Sequence, residues 1–118
     1  MITDKHILIV EDEYLIGAMI SDFLEDFGAI PVGPVASVAE ALAKIAEHPL
    51  DIAVVDWNLK GESGSAIGTA LRERGIPFVI STGYGVVEAA FADAPVLNKP
   101  YGPHVLATEL ERLLALAK

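Results

Sequence analysis

Short aliphatic runs alternate along this chain with segments whose apolar residues recur at helical spacing, and that alternation limits the folds open to it. His6 to Val10 (HILIV) is a β-branched run that reads as a buried strand. Leu15, Ile16, Met19, Ile20, Phe23, Leu24 and Phe27 follow with the spacing of one helix face, and Gly28 is placed to end that helix. Ile30 to Val32 predicts a short second strand. Ser37 and Glu40 form a capping-box pair ahead of a second helix, whose stripe is Val38, Ala41, Leu42 and Ile45. Ile52 to Val55 predicts a third strand, entered after Pro49. A Gly- and Ser-rich loop, Lys60 to Ser65, leads into a third helix ending near Gly75. Phe78 to Ile80 predicts the fourth strand, Val86 to Phe91 a short helix, and Val96 with Leu97 a brief fifth strand. Pro103 suits the first turn of a last helix that turns Val105, Leu106, Leu110, Leu113 and Leu114 inward.

Strand and helix thus succeed each other five times, with no internal repeat and no linker. Each crossover between parallel strands must return over a face of the sheet, so helices cover both faces. The expectation is an α/β fold: a doubly wound five-stranded parallel sheet of flavodoxin-like order 2-1-3-4-5, with five helices, in one domain over residues 1–118. Any site then belongs at the carboxyl ends of the strands, near the switch between strands 1 and 3.

Composition narrows the function classes. A net charge of -9 with only 8 Lys and Arg leaves no surface for displacing counterions from nucleic acid. Cysteine is absent, which excludes disulfides and thiolate metal sites and fits a reducing cytoplasm. No apolar stretch approaches the ~20 residues of a membrane span, and Met1 to His6 lacks the core of a secretory leader. A positive mean hydropathy suggests apolar surface kept for a protein partner.

The strand ends carry the chemistry. Strand 1 runs into Glu11-Asp12-Glu13, strand 3 into Asp56, strand 4 into Ser81-Thr82-Gly83 and strand 5 into Asn98-Lys99-Pro100. These ends share one sheet edge, so carboxylates, a hydroxyl and an ammonium group converge there. Crowded carboxylates raise one another's pKa unless a cation intervenes. An all-oxygen cluster favours a hard ion, Mg²⁺ above all. Asp56 in that setting suits a nucleophile toward a phosphoryl donor, with Lys99 and the Thr82 hydroxyl available to phosphoryl oxygens.

In their order and at these strand ends, the segments ILIVEDE, VVDWNLKGESG, STGYG and LNKP resemble the receiver domain of two-component response regulators over essentially the whole chain. The resemblance implies phosphorylation on Asp56, by a histidine kinase or a histidine phosphotransfer protein. It implies Mg²⁺ held by Asp12, Asp56 and the backbone carbonyl of Asn58, with Glu11 acting through water. It makes Thr82 the switch hydroxyl, Lys99 the phosphate-binding lysine, Pro100 the partner in a cis peptide bond and Gly64 the family's loop glycine. It further implies a cytoplasmic switch that is not an enzyme and that works through a downstream protein partner, since no effector follows at Lys118. Two positions depart from the family. Val96 stands where many receivers have a switching aromatic, and Lys60 where a proline is common. Pro77 to Gly85 (PFVISTGYG) resembles a subgroup with a PFxFATGxY-like motif, many of whose members are single-domain regulators in bacterial stress signalling. Ile80 and Ser81 replace that motif's Phe and Ala.

Plainer readings stand beside these. Acids after a strand also suit a helix N-terminus, which is the reading for Glu13. Asp56 alone suits a loop, Thr82 alone a local turn, and Lys99 alone a solvated surface. Trp57 suits either a cover over the site or its rim. Tyr84 and Tyr101 suit gates or interface anchors, and His6, His48 and His104 lack ligand spacing. The leucines of Leu106 to Leu116 form a stripe wide enough for a homodimer face as well as a core. Two competing functions remain: a haloacid-dehalogenase-type phosphatase, whose second motif aspartate is here Asn58, and a degenerate receiver serving unphosphorylated as a scaffold.

Overall fold

The computed structural model describes residues 2–83 and 87–116. Its elements are β1 (His6–Val10), α1 (Tyr14–Asp26), β2 (Ile30–Val35), α2 (Val38–Glu47), β3 (Ile52–Asp56), the two-residue strands β4 (Asn58–Leu59) and β5 (Glu62–Ser63), α3 (Ser65–Glu73), β6 (Phe78–Thr82), a 3₁₀ turn (Ala89–Phe91), β7 (Val96–Asn98) and α4 (Pro103–Leu116). The main sheet has the order β2-β1-β3-β6-β7, all pairs parallel. Counting only its strands, that is the expected 2-1-3-4-5. β4 and β5 form a separate antiparallel ladder within the loop after Asp56.

Period-two alternation divides the core between the faces. Leu8, Val10, Ala53, Val55, Phe78 and Ile80 face α2 and α3, joined by Trp57 and Phe91. Ile7, Ile9, Ile52, Val54 and Val79 face α1 and α4, where Ile20, Leu24, Leu106 and Leu110 meet them. The Ser37 cap forms as expected: its Oγ accepts from Glu40 N at 3.1 Å and donates to Glu40 Oε1 at 3.0 Å. Gly28, at φ +81°, ends α1 with two bonds, its own N–H to Glu25 O and that of Ala29 to Leu24 O.

The structure corrects several expectations. Among the described residues there are four α-helices, not five, since only the 3₁₀ turn Ala89–Phe91 occupies the place of the fourth. The start of that expected helix, Val86, lies outside the described residues. β2 is longer than Ile30 to Val32 because it continues past a bulge, with Leu8 opposite Val32 but Val10 opposite Val35. A side chain at Gly33 would come within 2.9 Å of Ile9 O, so only glycine fits the bulge. Leu15, Met19, Leu42 and Val105 do not face inward. They are exposed, Leu15 at 79%, because the helical stripes drawn from them are wider than the buried faces. No helix among the described residues is long and apolar enough to cross a membrane.

Candidate functional site

The carboxyl ends of β1 and β3 meet at the switch point, where the sheet order reverses. Parallel pairing of Val10 with Val55 brings Glu11 and Asp12 level with Asp56. Carboxylate oxygens of Glu11, Asp12 and Asp56 lie within 4.8 Å of one another. β6 and β7 add the rest: Thr82 pairs with Asn98 in register, and Lys99 N donates to Thr82 O at 2.8 Å. Asp12, Glu13, Asp56, Asn58, Lys60, Thr82 and Lys99 line an open cleft of about 240 Å³. All the site residues predicted from the sequence are therefore brought together, save that Glu11 lies behind this cleft rather than lining it.

Glu11 and Asp56 are buried, at 3% and 5% exposure, and Asp12 is half-buried. Lys99 Nζ donates to Glu11 Oε1 at 2.6 Å and to Asp56 Oδ2 at 3.4 Å, closer to the first. Asp56 Oδ1 accepts from Asn58 N at 3.1 Å, and Glu11 Oε2 from Glu13 N at 3.1 Å. Burial pushes the Glu11 carboxyl up to about 7, and the Asp56 charge adds to the rise; the Lys99 and Glu13 hydrogen bonds only partly oppose it. Burial disfavours the Lys99 ammonium, but the Glu11 hydrogen bond and the charges of Asp56 and Glu11 outweigh it and raise its pKa. Three clustered carboxylates face this one ammonium, so the site holds more acid than Lys99 balances. That donor set, all oxygen and without Cys or His, fits a hard divalent cation.

Several contacts around the site are not legible in the sequence. Lys60 N donates to Asp12 Oδ2 at 3.0 Å from a residue with φ +53°. A proline at this position has neither that N–H nor that angle, which explains the departure from the family pattern. Tyr101 OH and Ser81 Oγ lie 2.9 Å apart, so Ser81 supplies a partner that alanine lacks. Burial raises the Tyr101 phenol, with the Ser81 bond lowering it in part. Lys99-Pro100 is cis, as expected, and Gly33-Pro34 is cis as well. Trp57 neither covers the site nor forms its rim. It follows Asp56 directly, so its side chain turns to the opposite face and is buried against Phe78 and Phe91. His6 bonds Asp51 through its backbone N–H, and His104 packs edge-on to Phe27. Tyr84 lies outside the described residues.

A sheet of this order with an acidic cleft at its switch point is the architecture of a receiver domain. The chain belongs to that family, since residues 7–111 match the response regulator receiver domain. The structure is similar to the solution structure of SdrG from Sphingomonas melonis Fr1, at 44% identity over 97% of this chain and 99% of that one, with a TM-score of 0.85. It is also similar to the beryllofluoride-activated conformation of SdrG, given as from Pseudomonas melonis Fr1, at 44% identity over 97% and 99% of the two chains and a TM-score of 0.80. A CheY-like receiver domain protein from Methanospirillum hungatei JF-1 matches at 28% identity, over 98% and 97% of the chains, with a TM-score of 0.86. No curated protein matches. Receiver domains bind Mg²⁺ at an acidic pocket and interact with histidine kinases or phosphotransfer proteins and with downstream effectors.

Proposed function

We propose that this protein is a single-domain response regulator whose Asp56 accepts a phosphoryl group from a histidine kinase or histidine phosphotransfer protein. The observation that carries the reading is Lys99 Nζ, 2.6 Å from Glu11 and 3.4 Å from Asp56 inside a three-carboxylate cluster. An Asp56 oxygen attacks the phosphorus, the bond to the donor nitrogen breaks, and an acyl phosphate remains on Asp56. Lys99 neutralises the phosphoryl charge, and Thr82, on the same cleft, bonds a phosphoryl oxygen. Glu11, Asp12, Asp56 and the Asn58 carbonyl would hold Mg²⁺, which would supply positive charge to offset that of the carboxylates and the phosphoryl group. The chain catalyses its own modification and turns over no other substrate. The similarity to SdrG over 99% of that chain supports the single-domain reading. The PFVISTGYG segment and Val96 support membership of the PFxFATGxY-like subgroup. Phosphorylation then alters binding to a downstream protein in the cytoplasm.

The test is an acyl-phosphate donor with Mg²⁺, followed by intact mass. The protein gains one phosphoryl group, Asp56→Asn gains none, and Lys99→Ala slows uptake by roughly 10²-fold. Equal behaviour of the protein and Asp56→Asn sinks the proposal. Mg²⁺ at about 100 times its dissociation constant stabilises the protein by ~2.7 kcal/mol, a gain that Asp12→Asn reduces.

A further inference from the structure

Val96 is 41% exposed at the start of β7 and offers no ring to carry a change at Asp56 to the surface. The chain's single tryptophan sits beside Asp56 instead. Its indole lies 7° from parallel with the Phe78 ring, at 6.2 Å, and meets Phe91 at 5.1 Å edge-on. The slot has no slack. A side chain at Gly64 would come within 2.7 Å of the indole, and one at Gly68 within 3.0 Å of it and 2.7 Å of Phe91.

At the slot's outer edge, Trp57 Nε1 donates to Glu88 Oε1 at 2.6 Å, and Ser63 Oγ donates to Glu88 Oε2 at 2.6 Å. These two bonds, Ser63 first, hold the Glu88 carboxyl below the usual carboxylate range. Trp57 and Ser63 are the two sides of the loop that follows Asp56, since Ser63 pairs with Asn58, whose N–H bonds the Asp56 carboxylate at 3.1 Å. Glu88 therefore ties the acceptor loop to the segment in place of the missing helix. α3 holds the far side of that segment through Arg72, which donates to Ala90 O at 2.6 Å and Asp93 Oδ1 at 2.7 Å and lies 4.6 Å from the Phe91 ring centroid. The linkage is rigid inside, where rings touch. It is breakable outside, where the Glu88 carboxylate is exposed and water competes for its two donors.

We propose that Trp57, held by Glu88, is the positioning residue that transmits the state of Asp56 to the segment Val87–Ala94, in place of a strand aromatic. The inference rests on Asp56 being the acceptor. A buried ring moves only with its neighbours, so a rearranged acceptor loop either carries Glu88 and Phe91 along or breaks the Glu88 bonds.

The full chain is tested in three forms: unchanged, Glu88→Ala and Trp57→Phe, which keeps a ring but no N–H. Intact mass with an acyl phosphate follows acceptance. Amide hydrogen exchange over 87–94, with and without Mg²⁺ and beryllofluoride, follows transmission, and emission of the lone tryptophan reports its surroundings. We expect beryllofluoride to change exchange over 87–94 by about 5-fold or more in the unchanged protein and to shift its emission. Glu88→Ala gains the phosphoryl group at the unchanged rate but loses that exchange response. Trp57→Phe loses it too, and the double variant loses no more than either. Acceptance with an unaltered exchange pattern, or a full response in Glu88→Ala, overturns the inference. Failure of the unchanged protein to gain mass overturns the acceptor reading, and this inference with it.

Discussion

The two faces of the sheet are built differently. Against α1 and α4 the fully buried packing is aliphatic, built on Ile7, Ile9, Ile20, Ile52, Leu106 and Leu110, and the rings Phe23, Phe27 and Tyr101 are only partly buried beside it. Against α2 and α3 three rings, Trp57, Phe78 and Phe91, stack around one another next to the acceptor loop. Branched aliphatics interdigitate from many directions and leave a wall with one arrangement. The rings sit without slack in a glycine-floored slot, and one of them carries a hydrogen-bond donor to the surface. The aliphatic face supports the site, and the aromatic face is continuous with it.

Substitutions on the two faces separate these roles. Trp57→Ala empties the slot and destabilises by about 3–5 kcal/mol in urea unfolding, while also removing the response over 87–94. Leu110→Ala, in the opposite core, destabilises by ~2–5 kcal/mol. Its folded molecules still accept a phosphoryl group and still respond. If Leu110→Ala abolished the response as Trp57→Ala does, the division between the faces would collapse. Gly68→Ala presses a methyl group between Phe91 and the indole and destabilises by about 1–3 kcal/mol, with an altered tryptophan emission. Tyr101→Phe leaves the buried Ser81 hydroxyl without its phenol and lowers stability by about 1 kcal/mol. An unchanged melting midpoint in that variant would mean the Ser81–Tyr101 bond contributes nothing net.

The parts legible in the sequence were those with local signals. HILIV and IAVV announce buried strands, Ser37 and Glu40 announce a cap, and the acids and lysine at strand ends announce a site. The fourth helix failed although VVEAAFADAP has helix-forming residues and places Val87, Phe91 and Ala94 on one face, because a run this short, closed by Pro95, is marginal as a helix. Phe91 enters the slot beside Trp57 and Glu88 bonds the indole, and these contacts override local propensity. The bulge in β2 had a signal in Gly33-Pro34, which interrupts the strand pattern, but that signal reads equally as the end of the strand at Val32. Exposure of Leu15 and Met19 was hidden too, since spacing gives a face but not how much of it a neighbour covers.

Sequence alone determined the strand order, the edge at which Glu11, Asp12, Asp56, Thr82 and Lys99 gather, and the chemistry those groups allow. It could do so because parallel crossovers leave few topologies and strand ends follow directly from them. Only the tertiary structure decided that Lys99 bonds Glu11 more closely than Asp56, that Lys60 serves Asp12 through its backbone, and that the Trp57 indole bonds Glu88. Those are contacts between residues far apart in the chain. Burial, ring packing and competition for hydrogen-bond donors fix them, and none of these leaves a local mark.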